Sequence, residues 1–314
     1  MFGVIVHGGA GKIKDNRDAV LNGVKKAVAC GYDILKNGGT AIHAVEVSVK
    51  YFEDDENFNA GFGAVLTYDG NVELDAAIMD GKTLSCGATA LVNSVAHPIE
   101  LARKIMEMTD HVFIAGDYAE RLARIFGLEF RNQVSQRRLE YWQGLKRKIE
   151  QEKKEIEYLP KISKLVRDNI DALFGDTVGA VALDKYGNLA AATSTGGLML
   201  KLPGRIGDTP LIGCGTYADN NGGAVSATGI GEVAIKLNLA FFVSLRISQG
   251  CTPQNAVKEA LEKIKIYQNN APMGIIAINK KGDIGIGHTS PDLSWAYWLK
   301  DMKEPKYGLR YSLK

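Results

Sequence analysis

Long apolar runs are missing from this sequence. Its uninterrupted hydrophobic stretches are of strand length, too short to span a bilayer as a helix. Charge of one sign is missing too. Lys and Arg number 38 against 36 Asp and Glu, a net +2, which gives no reason to expect nucleic acid or an anionic membrane as a partner. Cysteine is scarce: Cys30, Cys86, Cys214 and Cys251 are scattered with no CxxC spacing, so they read as small buried apolar residues rather than a disulfide framework. The opening "MFGVIVHGGAG" has too short an apolar part, and no basic start, for a signal peptide. A cytoplasmic location is the expectation. Histidine is also scarce, and none of His7, His43, His97, His111 and His288 has the neighbourhood of a catalytic triad.

Glycine is plentiful. The 35 glycines fall in short clusters without a repeat, which suggests several backbone-rich loops around a site. A chain of 314 residues suits one large α/β domain or two small ones. "GVIVHGG" reads as a strand entering a glycine turn, followed by helices over 15–37 and 40–53, the second capped by Thr40. "FNAGFGAVLTYDGNVELDAAIMDG" reads as a loop, a strand, a turn at Asp69-Gly70 and a second strand, and "GATALV" as a third. Helix, strand and helix follow in "HPIELARKIMEM", "HVFIAG" and "DYAERLARIFG". From about Arg131 to 175 the chain is charged with little apolar periodicity, a solvated helix or a mobile linker.

The second half offers strands at 177–183, 189–195, 211–215 and 223–228. Helices are expected at 232–248 and over "PQNAVKEALEKIKI", then a hairpin in "GIIAINKKGDIGIGH" and a last strand near "WAYWL". Hairpins of strands with grouped helices imply largely antiparallel sheets. Several strands are apolar on both faces and so are covered on both sides. The expected fold is α/β (α+β): a four-layer αββα sandwich.

One stretch concentrates the chemistry. In "GDTVGAVALDKYGNLAAATSTGG", "DKYGN" is a turn between two apolar strands. If the turn is centred on Tyr186, Thr177 faces Thr195, with opposed Cβ atoms roughly 5 Å apart. The loop beyond Thr195 carries Arg205 and Asp208 away from the same edge. Hydroxyl, cation and carboxylate therefore converge. A hydroxyl needs a base, and no histidine is an obvious one; His7 remains open between a role near the site and a local structural hydrogen bond. A cut before Thr177 would supply a different base. The new α-amine, titrating at about 7.7–8.0 when unperturbed, would sit on the nucleophile itself.

The segments "HGGAG", "FNAGFGAVLTYDGNVELDAAIMDG", "DTVGAVALD…ATSTGG", "GRIGDTPLIGCGTYADN" and "GAVSATGIGE" occur in order and span nearly the whole chain outside the charged segment. Together they resemble the plant-type L-asparaginase and isoaspartyl peptidase family of N-terminal nucleophile hydrolases. The resemblance implies a single domain cut between Asp176 and Thr177 into 1–176 and 177–314. It also implies hydrolysis of L-asparagine and β-aspartyl dipeptides, no cofactor for the chemistry, and a dimer of cleaved pairs. Aspartate before the threonine is a departure: most members have glycine there, and glycosylasparaginases have aspartate.

The same resemblance assigns roles to residues. Thr195 supports the nucleophile, Thr228 and Gly229 hold the oxyanion, and Gly231 lines the same turn. Arg205 and Asp208 clamp the substrate carboxylate and ammonium groups. Asn59 either stabilises the tetrahedral species or holds a turn. The loop around Phe52, Glu53, Asp55, Phe58, Ala60 and Phe62 matches a sodium-binding loop that uses backbone carbonyls. Two rivals stay open: a glycosylasparaginase-like amidase, and an uncleaved, catalytically silent binding or storage protein.

Overall fold

The structure is a computed structural model that describes residues 1–13, 16–151, 177–268 and 271–311. Its elements in chain order are β1 (Gly3–Gly11), α1 (Arg17–Lys36), α2 (Ala41–Asp54), β2 (Leu74–Asp80), β3 (Cys86–Val92), α3 (Pro98–Met108), β4 (Phe113–Ala115), α4 (Gly116–Ile125) and α5 (Gln136–Gln151). The second half holds β5 (Val178–Leu183), β6 (Leu189–Thr195), β7 (Thr216–Ala218), β8 (Gly223–Gly229), α6 (Gly231–Leu237), α7 (Leu239–Ser248) and α8 (Pro253–Tyr267). It ends with β9 (Met273–Asn279), β10 (Ile284–His288), β11 (Asp292–Leu299) and β12 (Lys306–Gly308).

The strands form two sheets, ordered β12-β11-β1-β5-β6-β2-β3-β4 and β10-β9-β8-β7. Among the described strands, β3 and β4 alone pair in parallel. Helices α1 and α2 cover one face of the large sheet over a core that includes Val24, Val28, Val49 and Phe52. Its other face meets the small sheet through Ile5, Val181, Leu189, Ile276 and Leu293. Helices α7 and α8 close the far side over Val225, Val243, Val257 and Ile275. The result is the expected αββα sandwich. Central strands are buried on both faces, which is why β1, β5 and β6 read as continuous apolar runs. No helix among the described residues is long and apolar enough to cross a membrane.

Three expected elements differ, each for a local reason. Residues 64–68 form no strand. Strand β2 already has β3 and β6 as neighbours, so this segment pairs with a loop instead: Leu200 N donates to Leu66 O and Tyr68 N to Lys201 O, both at 2.8 Å. Residues 211–215 form a turn rather than a strand, their backbone spent on Cys214 N to Leu211 O (2.9 Å) and Gly215 N to Asp208 O (3.1 Å). The helix expected over 232–248 breaks at Asn238, which adopts a left-handed φ of 46° that asparagine tolerates better than most residues. Beyond it, the first amides of α7 turn to that same turn, Ala240 N to Cys214 O and Phe241 N to Gly213 O.

At the head of the charged segment, residues 131–146 lie against the body of the molecule. Arg131 binds the Glu53 and Ala96 carbonyls, Trp142 Nε1 donates to Thr67 O at 2.9 Å, and Leu145 packs with Val65, Met199 and Leu200. Residues 152–176, including Asp176, lie outside the described residues. All four cysteines are free, and only Cys214 is buried; Cys30, Cys86 and Cys251 are half-buried.

Candidate active site

The β5–β6 hairpin is centred on Tyr186, with Val178 opposite Ser194 and Leu183 opposite Leu189. Asp184 enforces that centre by accepting from the Tyr186 and Asn188 amides, both at 2.9 Å. One position further out, Thr177 Oγ1 donates to Thr195 Oγ1 at 3.1 Å. Thr195 Oγ1 also accepts from Gly197 N at 3.0 Å, which fixes its rotamer. Both hydroxyls are buried.

The small sheet brings up the rest. A Cβ on Gly179 would overlap Ser226 Oγ, so β5 and β8 touch there. Thr177 and Thr228 each lie two residues beyond that contact, on the faces their strands turn inward. The side chain of Thr228 is fully buried, and its Oγ1 has no hydrogen-bond partner among the described residues. Gly229 follows at φ 126°, a conformation that β-carbon-bearing residues avoid, with the Pro272 carbonyl where a Cβ would be.

Arg205 and Asp208 meet at Gly231. A Cβ there would stand 2.9 Å from both Arg205 Nη2 and Asp208 Oδ1, so glycine is required for the two to converge. Glu232 grips Arg205 from one side, accepting from Nε at 3.0 Å and Nη2 at 2.9 Å. Nη1 makes no hydrogen bond among the described residues and is available to an anion. Asp208 is buried with Oδ2 unpartnered. Burial pushes its carboxyl up to about 6, with the Arg205 charge opposing. Buried polar atoms are nearly always satisfied, so the unpartnered Thr228 Oγ1 and Asp208 Oδ2 are both candidates to meet a polar ligand.

Asn59 is held by the fold at both ends of its amide. Its Nδ2 donates to Gly197 O and its Oδ1 accepts from Val65 N, both at 2.7 Å. These bonds staple the loop after β6, and the second Nδ2 hydrogen makes no bond among the described residues. His7 lies between the sheets. Its Nε2 pairs with Ser226 Oγ at 2.8 Å, which pairs with Thr193 Oγ1 at 2.9 Å, which accepts from Thr216 Oγ1 at 2.7 Å. Burial lowers the His7 pKa to about 3, with the Thr177 backbone opposing, so the ring is neutral.

In the 52–62 loop, four of the six expected carbonyls already accept a proton from the chain: Phe52 from Asp55 N, Asp55 from Phe58 N, Ala60 from Gly63 N and Glu53 from Arg131 Nη2. Each keeps a second lone pair. A Cβ on Gly61 would overlap the Glu53 oxygen, and one on Gly63 the Phe58 oxygen, so the loop wraps carbonyls inward. That donor set fits a hard monovalent cation. Among the described residues no cluster of His, Cys, Asp and Glu side chains is placed to hold a metal.

The sequence reading missed three charged residues here: Glu232, and Asp75 and Lys201, buried beside the clamp. Glu53, expected only for its loop, has a fully buried carboxyl. Glu53 accepts from Ser194 Oγ at 2.6 Å, and burial pushes its carboxyl up to about 7. A signal existed for Asp75 and Lys201, which are charges set within apolar runs, in "VELDAAIMD" and "LMLKLPG".

A buried threonine opening a central strand of an αββα sandwich, with hydroxyl and amide groups around it, defines the class of N-terminal nucleophile hydrolases. The comparisons agree and are more specific. A family model described as Asparaginase matches residues 1–307, and the chain belongs to that family. It is 45% identical over 311 residues to a plant-type L-asparaginase of Pyrococcus horikoshii, covering 98% of this chain and 100% of that one. It is also 45% identical over 295 residues to an isoaspartyl peptidase/L-asparaginase of Mus musculus, covering 93% of this chain and 86% of the relative.

Proposed function

We propose that the protein hydrolyses L-asparagine to L-aspartate and ammonia and cleaves β-aspartyl dipeptides, using Thr177 as a self-generated N-terminal nucleophile. The observation that carries this reading is the buried Thr177–Thr195 hydroxyl pair at the head of β5, on the side where β5 meets β8; the unpartnered Thr228 Oγ1 and Asp208 Oδ2 support it. Those groups match what a β-aspartyl substrate presents.

Processing comes first. The Thr177 hydroxyl attacks the Asp176 carbonyl, the acyl group moves from nitrogen to oxygen, and water hydrolyses the ester to leave chains 1–176 and 177–314. In turnover, Arg205 binds the substrate α-carboxylate and Asp208 its ammonium group. The neutral Thr177 amine takes the hydroxyl proton as Oγ1 attacks the side-chain carbonyl. Thr195 holds the nucleophile, and Thr228 and the Gly229 amide receive the oxyanion. Gly231 leaves room for the clamp. The amine returns its proton to the departing ammonia or peptide amine. Water then releases aspartate. Recognition lies in the aspartyl half, so the leaving group is loosely specified.

The 52–62 carbonyls would hold a sodium ion that braces the Asn59 turn and takes no part in chemistry. Exchange of sodium for a bulky organic cation lowers the melting temperature on this reading, and an unchanged melting temperature removes the ion. The working form is a dimer of cleaved pairs in the cytoplasm, acting on small molecules without nucleic acid or membrane.

Mass spectrometry for a new N-terminus at Thr177, combined with ammonia release from asparagine, tests the whole. Uncut protein with full activity would refute it. Uncut protein without activity would favour the silent-protein reading.

A further inference from the structure

Two charged side chains beside the clamp are buried and have no part in the mechanism above. Lys201, in the loop after β6, and Asp75, on β2, are almost wholly inside the protein. Proteins rarely bury charges without pairing them, and such charges gather at functional sites. Burial pushes the Asp75 carboxyl up and the Lys201 amine down. Lys201 is the leading charge opposing the first shift, and Asp75 the leading charge opposing the second.

Their contacts converge on one loop. Lys201 Nζ donates to the Glu73 carbonyl at 2.9 Å, with the Glu73 carboxylate 3.8 Å away. That carboxylate accepts from Gly204 N, 3.1 Å from each oxygen. Asp75 Oδ2 accepts from Gly207 N at 3.4 Å, and its Oδ1 from Leu91 N at 3.2 Å. Arg205 lies between Gly204 and Gly207, and Asp208 follows directly. The loop carrying the clamp is therefore attached to the entry of β2 at three points: Lys201, Gly204 and Gly207.

The same strut reaches the nucleophile edge. Asp75 stands opposite Thr195 across the β2–β6 ladder. The Lys201 side chain crosses Gly197, where a Cβ would stand 2.9 Å from Nζ, and Gly197 N is the donor that fixes Thr195 Oγ1. Backbone bonds tie the loop in as well, Lys201 N to Leu198 O and Arg205 N to Leu202 O, both at 3.0 Å, but none of these reaches β2.

The geometry points to Lys201, Glu73 and Asp75 as positioning residues for the clamp: they hold residues 201–208 against β2 and so set the reach from Arg205 and Asp208 to the reacting threonine. This rests on the functional reading above. None of the three touches substrate. Their effect falls on substrate binding, because the nucleophile keeps its own ladder and its own hydrogen bonds. A buried charge pair that served stability alone would leave KM unchanged.

The test compares wild type with Lys201→Met, Lys201→Arg and Glu73→Ala in asparagine turnover, each checked for self-cleavage on a denaturing gel. Every variant should still be cut before Thr177, since the clamp has no part in that reaction. Lys201→Met should raise KM about tenfold or more with kcat within about threefold, and Lys201→Arg should recover most of that loss. Glu73→Ala should raise KM by a smaller factor. Its carboxylate is only 14% exposed but sits at the loop rim, so it carries the test if Lys201→Met does not fold. An unchanged KM in the folded variants, or an equal fall in kcat and kcat/KM, overturns the proposal. Wild type that is cut yet releases no ammonia from asparagine strikes the functional reading itself, and the proposal with it.

Discussion

Thr177, Thr195 and Thr228 stand at strand ends, whereas Arg205 and Asp208 stand on a loop. The first group is neutral, buried and placed by ladder registers: Val178 opposite Ser194, and Thr228 opposite Gly274. The second is charged, and its place depends on other charges, Glu232 on Arg205 and Asp75 near both. Chemistry at a nucleophile needs sub-ångström constancy, which two-sided hydrogen-bonded strands supply. A clamp must admit and release a zwitterion, so it sits where a few contacts on a loop hold it. Loss of a strand-borne hydroxyl should therefore appear in kcat, and loss of a loop-borne charge in KM.

Five outcomes would sharpen or break that division. Thr177→Ala has the largest effect: it should remain one chain on a denaturing gel and lose at least about 10³-fold in kcat, as removal of a nucleophile does. Thr228→Val should lower kcat by roughly 10²-fold with KM little changed, the usual loss for one oxyanion donor. A change confined to KM would move Thr228 to the clamp. Arg205→Lys keeps the charge but loses the fork, and should raise KM by about 10- to 100-fold, read in steady-state asparagine hydrolysis.

The fourth concerns pH. Asp208 must be ionised to hold an ammonium group, and its carboxyl is pushed up to about 6. A raised carboxyl keeps its proton to higher pH, so kcat/KM should fall as pH drops through about 6, approaching tenfold per unit below it. A profile flat down to pH 5 would remove Asp208 from ammonium binding. The smallest effect lies outside both halves. Thr252 caps α8 by accepting from Asn255 N at 3.3 Å, and Thr252→Ala should cost about 1 kcal/mol in unfolding experiments without touching kinetics.

Two other buried groups link stability to pH, with opposite signs. His7, lowered to about 3, is neutral in the fold but protonates in the unfolded chain below its ordinary 6.5. Its contribution is present above that value and is lost progressively as pH falls toward 3. Glu53, raised to about 7, acts oppositely: the fold binds its proton more tightly, so its contribution falls as pH rises from about 4.5 to 7.

Much of the fold was legible because local chemistry and tertiary need coincide. The turn centred on Tyr186 follows from Asp184 and Gly187, and the Thr177–Thr195 pairing from counting outward. Thr40 announces its helix. Residues 64–68 were misleading because a short apolar run marks a buried extended segment, while both edges of β2 are taken by β3 and β6. Asn238 was invisible for a similar reason. A helix-period pattern runs straight through it, and only the 213–214 turn, arriving from elsewhere, captures the amides of α7.

By itself the sequence settled the strands and helices whose signals are local, and it brought Thr177, Arg205 and Asp208 forward as candidate site residues. Only the tertiary structure decided how those groups are held: Glu232 on Arg205, the Asp75–Lys201 strut, Asn59 as a staple and His7 as a neutral inter-sheet link. The physical reason is range. Turn chemistry and period act over a few residues, whereas the cost of an unpaired buried charge is met by whichever distant partner the packing delivers.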